Sequence, residues 1–234
     1  FLLASTYDQD MHANPNNPSA TNGTDQAWGG NRARPDLVKK FFPTGNVPNL
    51  ESYATAEAAG DDRALFCGVN RTLDNEDVST FKSGFGVAKF TNFKTDGSAG
   101  HDATFPDADY FLMRAAEAYL NFAEADARLN GGETTAEGTA AINAIRKRAN
   151  ATTREDKGYS LNDICDEWSR EFYFEGRRRM DLIRFNRYGG NVNYNWQWKG
   201  GTKEGRNFSK DLNIFAIPTN ELTSNKNLIQ NPGY

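Results

Sequence analysis

Two cysteines and two histidines are all that 234 residues offer to disulfide, thiolate or imidazole chemistry. Cys165 falls on an apolar helical pattern and Cys67 follows Leu65 and Phe66, so both read as small buried hydrophobes rather than as a disulfide framework or a redox pair. His12 and His101 lie in polar loops far apart in sequence, in neither nucleophile nor ligand spacing, and no metal, cofactor or catalytic residue is expected from them. No run approaches the ~18 consecutive apolar residues of a transmembrane helix. A charged lead followed by an apolar core, the pattern of a signal peptide, is equally missing. There is no surplus of basic residues either: the net charge is -4, which speaks against a nucleic-acid or acidic-membrane surface.

What is plentiful is asparagine, 25 residues, with 21 glycines and 9 tyrosines, a mixture suited to polar, turn-rich loops facing water or sugar. At 38% hydrophobic the chain suffices for one ordinary core or part of a larger one. It opens on Phe1-Leu2-Leu3-Ala4, an apolar run without the polar lead-in of most natural termini, so further residues before Phe1 are expected in the full protein.

The most informative stretch is 167–185, EWSREFYFEGRRRMDLIRF. Ser160 can cap a helix whose apolar positions Leu161, Ile164, Cys165, Trp168 and Phe172 recur at three- and four-residue spacing, and Glu171 and Glu175 continue that face. Gly176 can end it, and 177–185 reads as a second short helix carrying Arg177, Arg178, Asp181 and Arg184. Carboxylates on a buried stripe are tolerable only when paired, and the three arginines after the glycine are the expected partners. Two readings follow for Glu171, Glu175, Arg178, Asp181 and Arg184: a structural charge network between helices, or an acid/base carboxylate pair of the glycosidase kind. The first is preferred, because guanidinium neighbours keep carboxylates ionised and occupied.

The run EFYFEGRRRMDLIRF resembles the signature of the SusD/RagB family of outer-membrane nutrient-binding lipoproteins. RAAEAYLNFAEA at 114–125, INAIRKRA at 142–149 and IFAIPTNELTSNKNLIQNPGY at 214–234 agree with it in the same order. The resemblance covers nearly the whole chain but only the C-terminal half of the family. It implies a mainly α fold of tetratricopeptide-like helix pairs, an α-α superhelix with long loop insertions and a few short strands. It also implies a surface-exposed, non-catalytic glycan or nutrient binder, a TonB-dependent transporter of the SusC type as partner, and an outer-membrane lipid anchor outside this chain.

Three segments organise the sequence: a loop-rich part, 1–106, a helical-pair core, 107–188, and an extended part, 189–234. In the first, Trp28, Asn31 and Arg32 sit among glycines, an aromatic plane with hydrogen-bond donors beside it, and Tyr53 is the lone large aromatic of a turn-rich stretch, 44–64. Trp28 either stacks on a sugar or anchors its loop. A short helix is expected over 35–42 and extended pieces over 65–70 and 85–93. The pattern over 110–129 predicts a helix with an unusually wide apolar face that seeks neighbours on two sides. Thr134 and Glu137 have capping-box spacing for the next helix, with Ala141, Ile142, Ile145 and Ala149 inward. In 191–201 the alternation of Val192, Tyr194, Trp196 and Trp198 with Asn193, Asn195 and Gln197 predicts a strand. Its aromatic row is a second sugar platform or, the preferred reading, packs on the helices. A last short strand is expected over 214–218.

The ligand candidates are thus Trp28, Asn31, Arg32 and Tyr53, with Trp196 and Trp198 behind them. Against the binding reading stand a glycoside hydrolase using Glu171 and Glu175 and a helical-repeat scaffold that binds protein.

Overall fold

Proline has no N–H to leave orphaned at the start of a helix, and Pro35 opens α1 (Pro35–Val38), which tightens into a 3-10 turn, Lys39–Phe41. The structure, a computed structural model, describes residues 32–50, 52–77, 79–80, 82–98, 100–102, 109–190 and 193–234, so Trp28 and Asn31 lie outside the described residues. The chain divides into two compact units, 1–174 and 175–234, a boundary that falls inside the segment read from sequence as one helical core.

In the first unit, α2 (Ser52–Ala59) occupies part of a stretch read from sequence as turns. Its alanines favour a helix without giving it an apolar stripe, which is why periodicity passes over it. The two extended pieces form a minimal antiparallel ladder, β1 (Phe66–Cys67) with β2 (Gly86–Val87), in the register Phe66 to Val87. Around it close Val38, Phe41, Phe42, Ala64, Phe85 and Tyr173. Gly68 is needed beside this ladder, because a Cβ there would stand 2.5 Å from the Phe85 ring.

The three long helices are α3 (Ala115–Leu129), α4 (Ala136–Arg148) and α5 (Leu161–Phe172), with α3 packed on both others. Helix α3 begins five residues later than its apolar pattern suggests. Arg114 is extended, its guanidinium bonded to the side chain and carbonyl of Glu171 and lying 3.9 Å over the Phe172 ring. Tyr110, Phe111, Leu112 and Met113 before it are exposed. Helix α3 buries Ala116, Leu120, Ala123 and Ala127 and leaves Tyr119, Phe122 and Leu129 exposed.

The expected Thr134–Glu137 box does not cap α4. Its N-cap is Thr135, and the capping carboxylate comes from the preceding helix: Asp126 accepts from the Thr135 N–H at 2.7 Å and from its hydroxyl at 2.9 Å. Ser160 does cap α5, in a capping box with Asp163.

Helix α5 stops at Phe172 instead of running on to Gly176. Tyr173 is extended and Phe174 left-handed at φ 59°, while the Lys89 ammonium takes the terminal carbonyls of Glu171 and Tyr173, each at 2.9 Å. The break means that Glu175 does not continue the buried face that holds Glu171.

The second unit holds α6 (Arg178–Arg184), 3-10 turns at Lys199–Gly201 and Lys210–Asn213, and α7 (Thr219–Ser224). Among its described residues neither expected strand forms. The Asn195 amide bonds the carbonyls of Glu204 and Gly205 rather than a neighbouring strand, so the chain curls into a loop after Tyr194. The tail is tied down by side-chain amides: Gln230 exchanges hydrogen bonds with both backbone groups of Ile217, and Asn231 donates to the Phe215 carbonyl. Among the described residues no helix is long and apolar enough to cross a membrane.

Candidate functional site

Glu167 and Glu171, one turn apart on α5, are both buried, Glu167 with no exposed surface. Arg63 reaches them together, its Nη1 donating at 2.8 Å to Glu167 Oε1 and at 3.0 Å to Glu171 Oε2. The rest of that guanidinium grips Asp61, Nη2 to Oδ2 at 2.7 Å and Nε to Oδ1 at 2.9 Å. Glu167 Oε2 also accepts from Arg146 and Arg170, each ion pair at 2.7 Å. Glu171 is completed by Arg148 at 2.7 Å and by Arg114.

Burial alone would push these carboxyls up. The guanidiniums of Arg170, Arg63 and Arg146 outweigh it and hold Glu167 at about 2, and Arg148, Arg114 and Arg63 do the same for Glu171, also about 2. Arg63, although desolvated, is pushed above its ordinary value by Asp61, Glu167 and Glu171. Glu167 and Glu171 are therefore ionised at neutral pH.

Glu171 is paired with arginines from the loop before β1, from the start of α3 and from the end of α4. In the second unit Asp181 is buried and paired with Arg184 at 2.9 Å, Arg178 donates to the Tyr194 hydroxyl at 2.6 Å, and Glu175 is half-buried. Sequence reading passed over Glu167 and Arg63. Glu167 had a signal, since it lies four residues before Glu171 and next to Trp168 on the same face. Arg63 had none, being a lone arginine in a polar stretch.

The ligand candidates fare differently. The Arg32 guanidinium is spent inside the protein, bonded to the Thr80 carbonyl and, at 2.7 Å, to that of Ser83. Tyr53, on α2, is 69% exposed. Trp196 and Trp198 are half-buried in the loop of the second unit. Tyr188 lies nearly parallel to Trp196, ring centroids 6.1 Å apart and planes at 19°, and Phe208 meets Tyr188 edge-on at 5.0 Å. Trp198 is left-handed at φ 67°, a conformation that costs a bulky residue on the order of 1–3 kcal/mol and tends to gather at functional sites.

The sequence matches the SusD family over residues 52–234. It is 37% identical over 243 aligned residues to the starch-binding protein SusD of Bacteroides thetaiotaomicron, covering 91% of this chain and 43% of that protein. The chain therefore spans less than half the length of this curated relative. Among solved structures, a SusD-like protein from Bacteroides fragilis superposes with a TM-score of 0.57 at 21% identity, over 92% of this chain and 49% of that one. A laminarin-binding SusD-like protein gives 0.53 at 23% identity, over 90% and 40%. These likenesses bear out the mainly α, SusD-like fold. With the family match taking in most of the sequence and all three long helices, this chain belongs to the SusD family.

Proposed function

We propose that the protein is the glycan-binding component of a SusC/SusD-type outer-membrane uptake system. It holds an oligosaccharide at the cell surface without cleaving it, delivers it to a TonB-dependent SusC-like transporter, and is anchored by lipid through a part of the protein outside this chain. The observation that carries the reading is the 37% identity to a starch-binding protein over nearly the whole chain. Two features of the site support it. Glu171, one of the two carboxylates that the hydrolase alternative would use, with Glu175, is held near 2 by its arginines, where a general acid requires a raised value. Aromatic rings suited to the apolar face of a pyranose, Tyr53 in the first unit and Trp196 and Trp198 in the second, stand at least partly open to solvent. Trp28 and Asn31 keep their place as ligand candidates on the sequence pattern alone.

The test is binding of soluble starch and laminarin, measured calorimetrically alongside an assay for released sugar. Binding without hydrolysis is expected, weakened by Tyr53→Ala or Trp196→Ala by an amount of order 1–3 kcal/mol at whichever ring carries the contact. Release of reducing sugar abolished by Glu171→Gln would replace this reading with the hydrolase. The protein-interaction scaffold draws on one observation, the exposed Tyr119, Phe122 and Leu129 along α3. It is favoured if neither polysaccharide binds.

A further inference from the structure

Lys199 is an ammonium buried to 1% exposure that forms no ion pair among the described residues. A buried charge needs hydrogen-bond acceptors, and oxygens take two of the three N–H donors here: Nζ donates to the Tyr194 carbonyl at 2.6 Å and to Asn207 Oδ1 at 2.9 Å. Two aromatic rings also lie near it. The Trp196 ring centroid is 4.7 Å from Nζ and that of Phe208 is 5.8 Å away, within range of cation–π attraction. Desolvation lowers the ammonium below its ordinary value, consistent with the lack of a carboxylate.

The loop is wrapped around this group. The Lys199 N–H donates to the Trp196 carbonyl at 3.1 Å, its carbonyl accepts from Arg206 N–H at 2.8 Å, and Trp198 N–H reaches the Lys203 carbonyl at 3.2 Å. At Gly205, φ +75°, a Cβ would stand 2.3 Å from the Trp196 carbonyl oxygen, so the returning arm of the loop lies directly against the segment that carries the tryptophan. The side chain of Lys199 thus acts as an internal cation: it draws together the carbonyl before Trp196, the amide at the far end of the loop and the ring between them.

We propose that Lys199 is a positioning residue for glycan binding, holding the Trp196 indole in its place against Tyr188 so that the exposed part of this half-buried residue is presented rigidly to a pyranose. The inference rests on the glycan-binding reading above. Preorganised rings bind better because their rotamer freedom is lost before the ligand arrives. A cation against the ring fixes Trp196 without covering all of it, since the residue remains half-buried.

The experiment uses the full-length protein with soluble starch and laminarin as probes. Lys199→Met keeps the stem and removes the ammonium, Trp196→Ala removes the ring, and the double variant closes the cycle. Lys199→Met is expected to weaken binding about tenfold and Trp196→Ala at least as much, with the double variant no weaker than Trp196→Ala alone, because a residue that acts through another shows non-additive losses. Should Lys199→Met fail to fold, Asn207→Ala removes one of the two oxygen acceptors and carries the same cycle, with a loss of about threefold expected. Parental affinity in the lysine variant while Trp196→Ala loses binding overturns the positioning role and leaves the glycan reading standing. Losses that simply add also overturn it. Parental affinity in Trp196→Ala removes the loop from the site, and the role of Lys199 with it. Failure of the parent to bind either probe overturns the glycan reading itself, and the positioning role falls with it.

Discussion

Arg63 and Glu167 are 104 residues apart in the sequence, and their guanidinium and carboxylate are 2.8 Å apart in the fold. The same guanidinium holds Glu171 and Asp61, so one side chain ties the loop before β1 to the buried face of α5. Deleting one partner of a buried ion pair strands the others, at a cost of about 3–5 kcal/mol. Arg63→Met is therefore expected to lower the unfolding free energy by that amount in urea titration. A change of less than about 1 kcal/mol, the range of exposed pairs, would mean that the network contributes no more than surface charges do.

The acid side of the stability curve follows from the same carboxylates. Glu167 and Glu171 are lowered from 4.5 to about 2 by folding, so the folded state releases protons that the unfolded chain retains. Their contribution is complete above about pH 4.5 and is lost as pH falls towards 2. Melting temperatures measured down through this window should fall steeply for the parent and less so for Glu171→Gln, which is destabilised at pH 7 and has less to lose. Parallel curves for the two proteins would remove Glu171 from the account.

Gly138, inside α4, offers a test of sign. Glycine to alanine in a helix interior normally stabilises by roughly 0.5–1 kcal/mol. Here the added Cβ would sit 2.1 Å from Asp126 Oδ2, the oxygen that caps the helix at Thr135. Gly138→Ala is expected to destabilise by about 1–2 kcal/mol, the usual cost of a lost cap. A thermal melt shifted upward would show that Asp126 moves aside and keeps its bonds.

Ser160→Ala should cost about 1 kcal/mol, as an N-cap does. The loss is bounded because Asp163 keeps its ion pair with Arg154 at 2.8 Å and still accepts from the Ser160 backbone N–H at 2.9 Å. A loss of more than about 2 kcal/mol in denaturant titration would show that the hydroxyl also organises that ion pair.

Elements whose signal is local were legible without coordinates. Pro35 announces α1, Ser160 announces α5, and the apolar spacing of Ile142 and Ile145 fixes the inward face of α4, because each depends on atoms within a turn or two along the chain. Helix α2 escaped because alanines carry propensity but no periodicity, and the strand expected around Trp196 failed because period-two alternation is blind to turns. Trp198 left-handed and the glycines at 200, 201 and 205 bend that segment into a loop.

By itself the sequence determined that carboxylates would lie on a helix face that had to be buried, and therefore that cations had to meet them. The pattern of Trp168, Glu171 and Phe172 admits no other solution, since an uncompensated buried charge is too costly. Which cations was a matter of tertiary structure alone. Arginines from the loop before β1 and from the ends of α3 and α4 converge on Glu167 and Glu171. Charge pairing requires only proximity in space, and a one-dimensional pattern records proximity only along the chain.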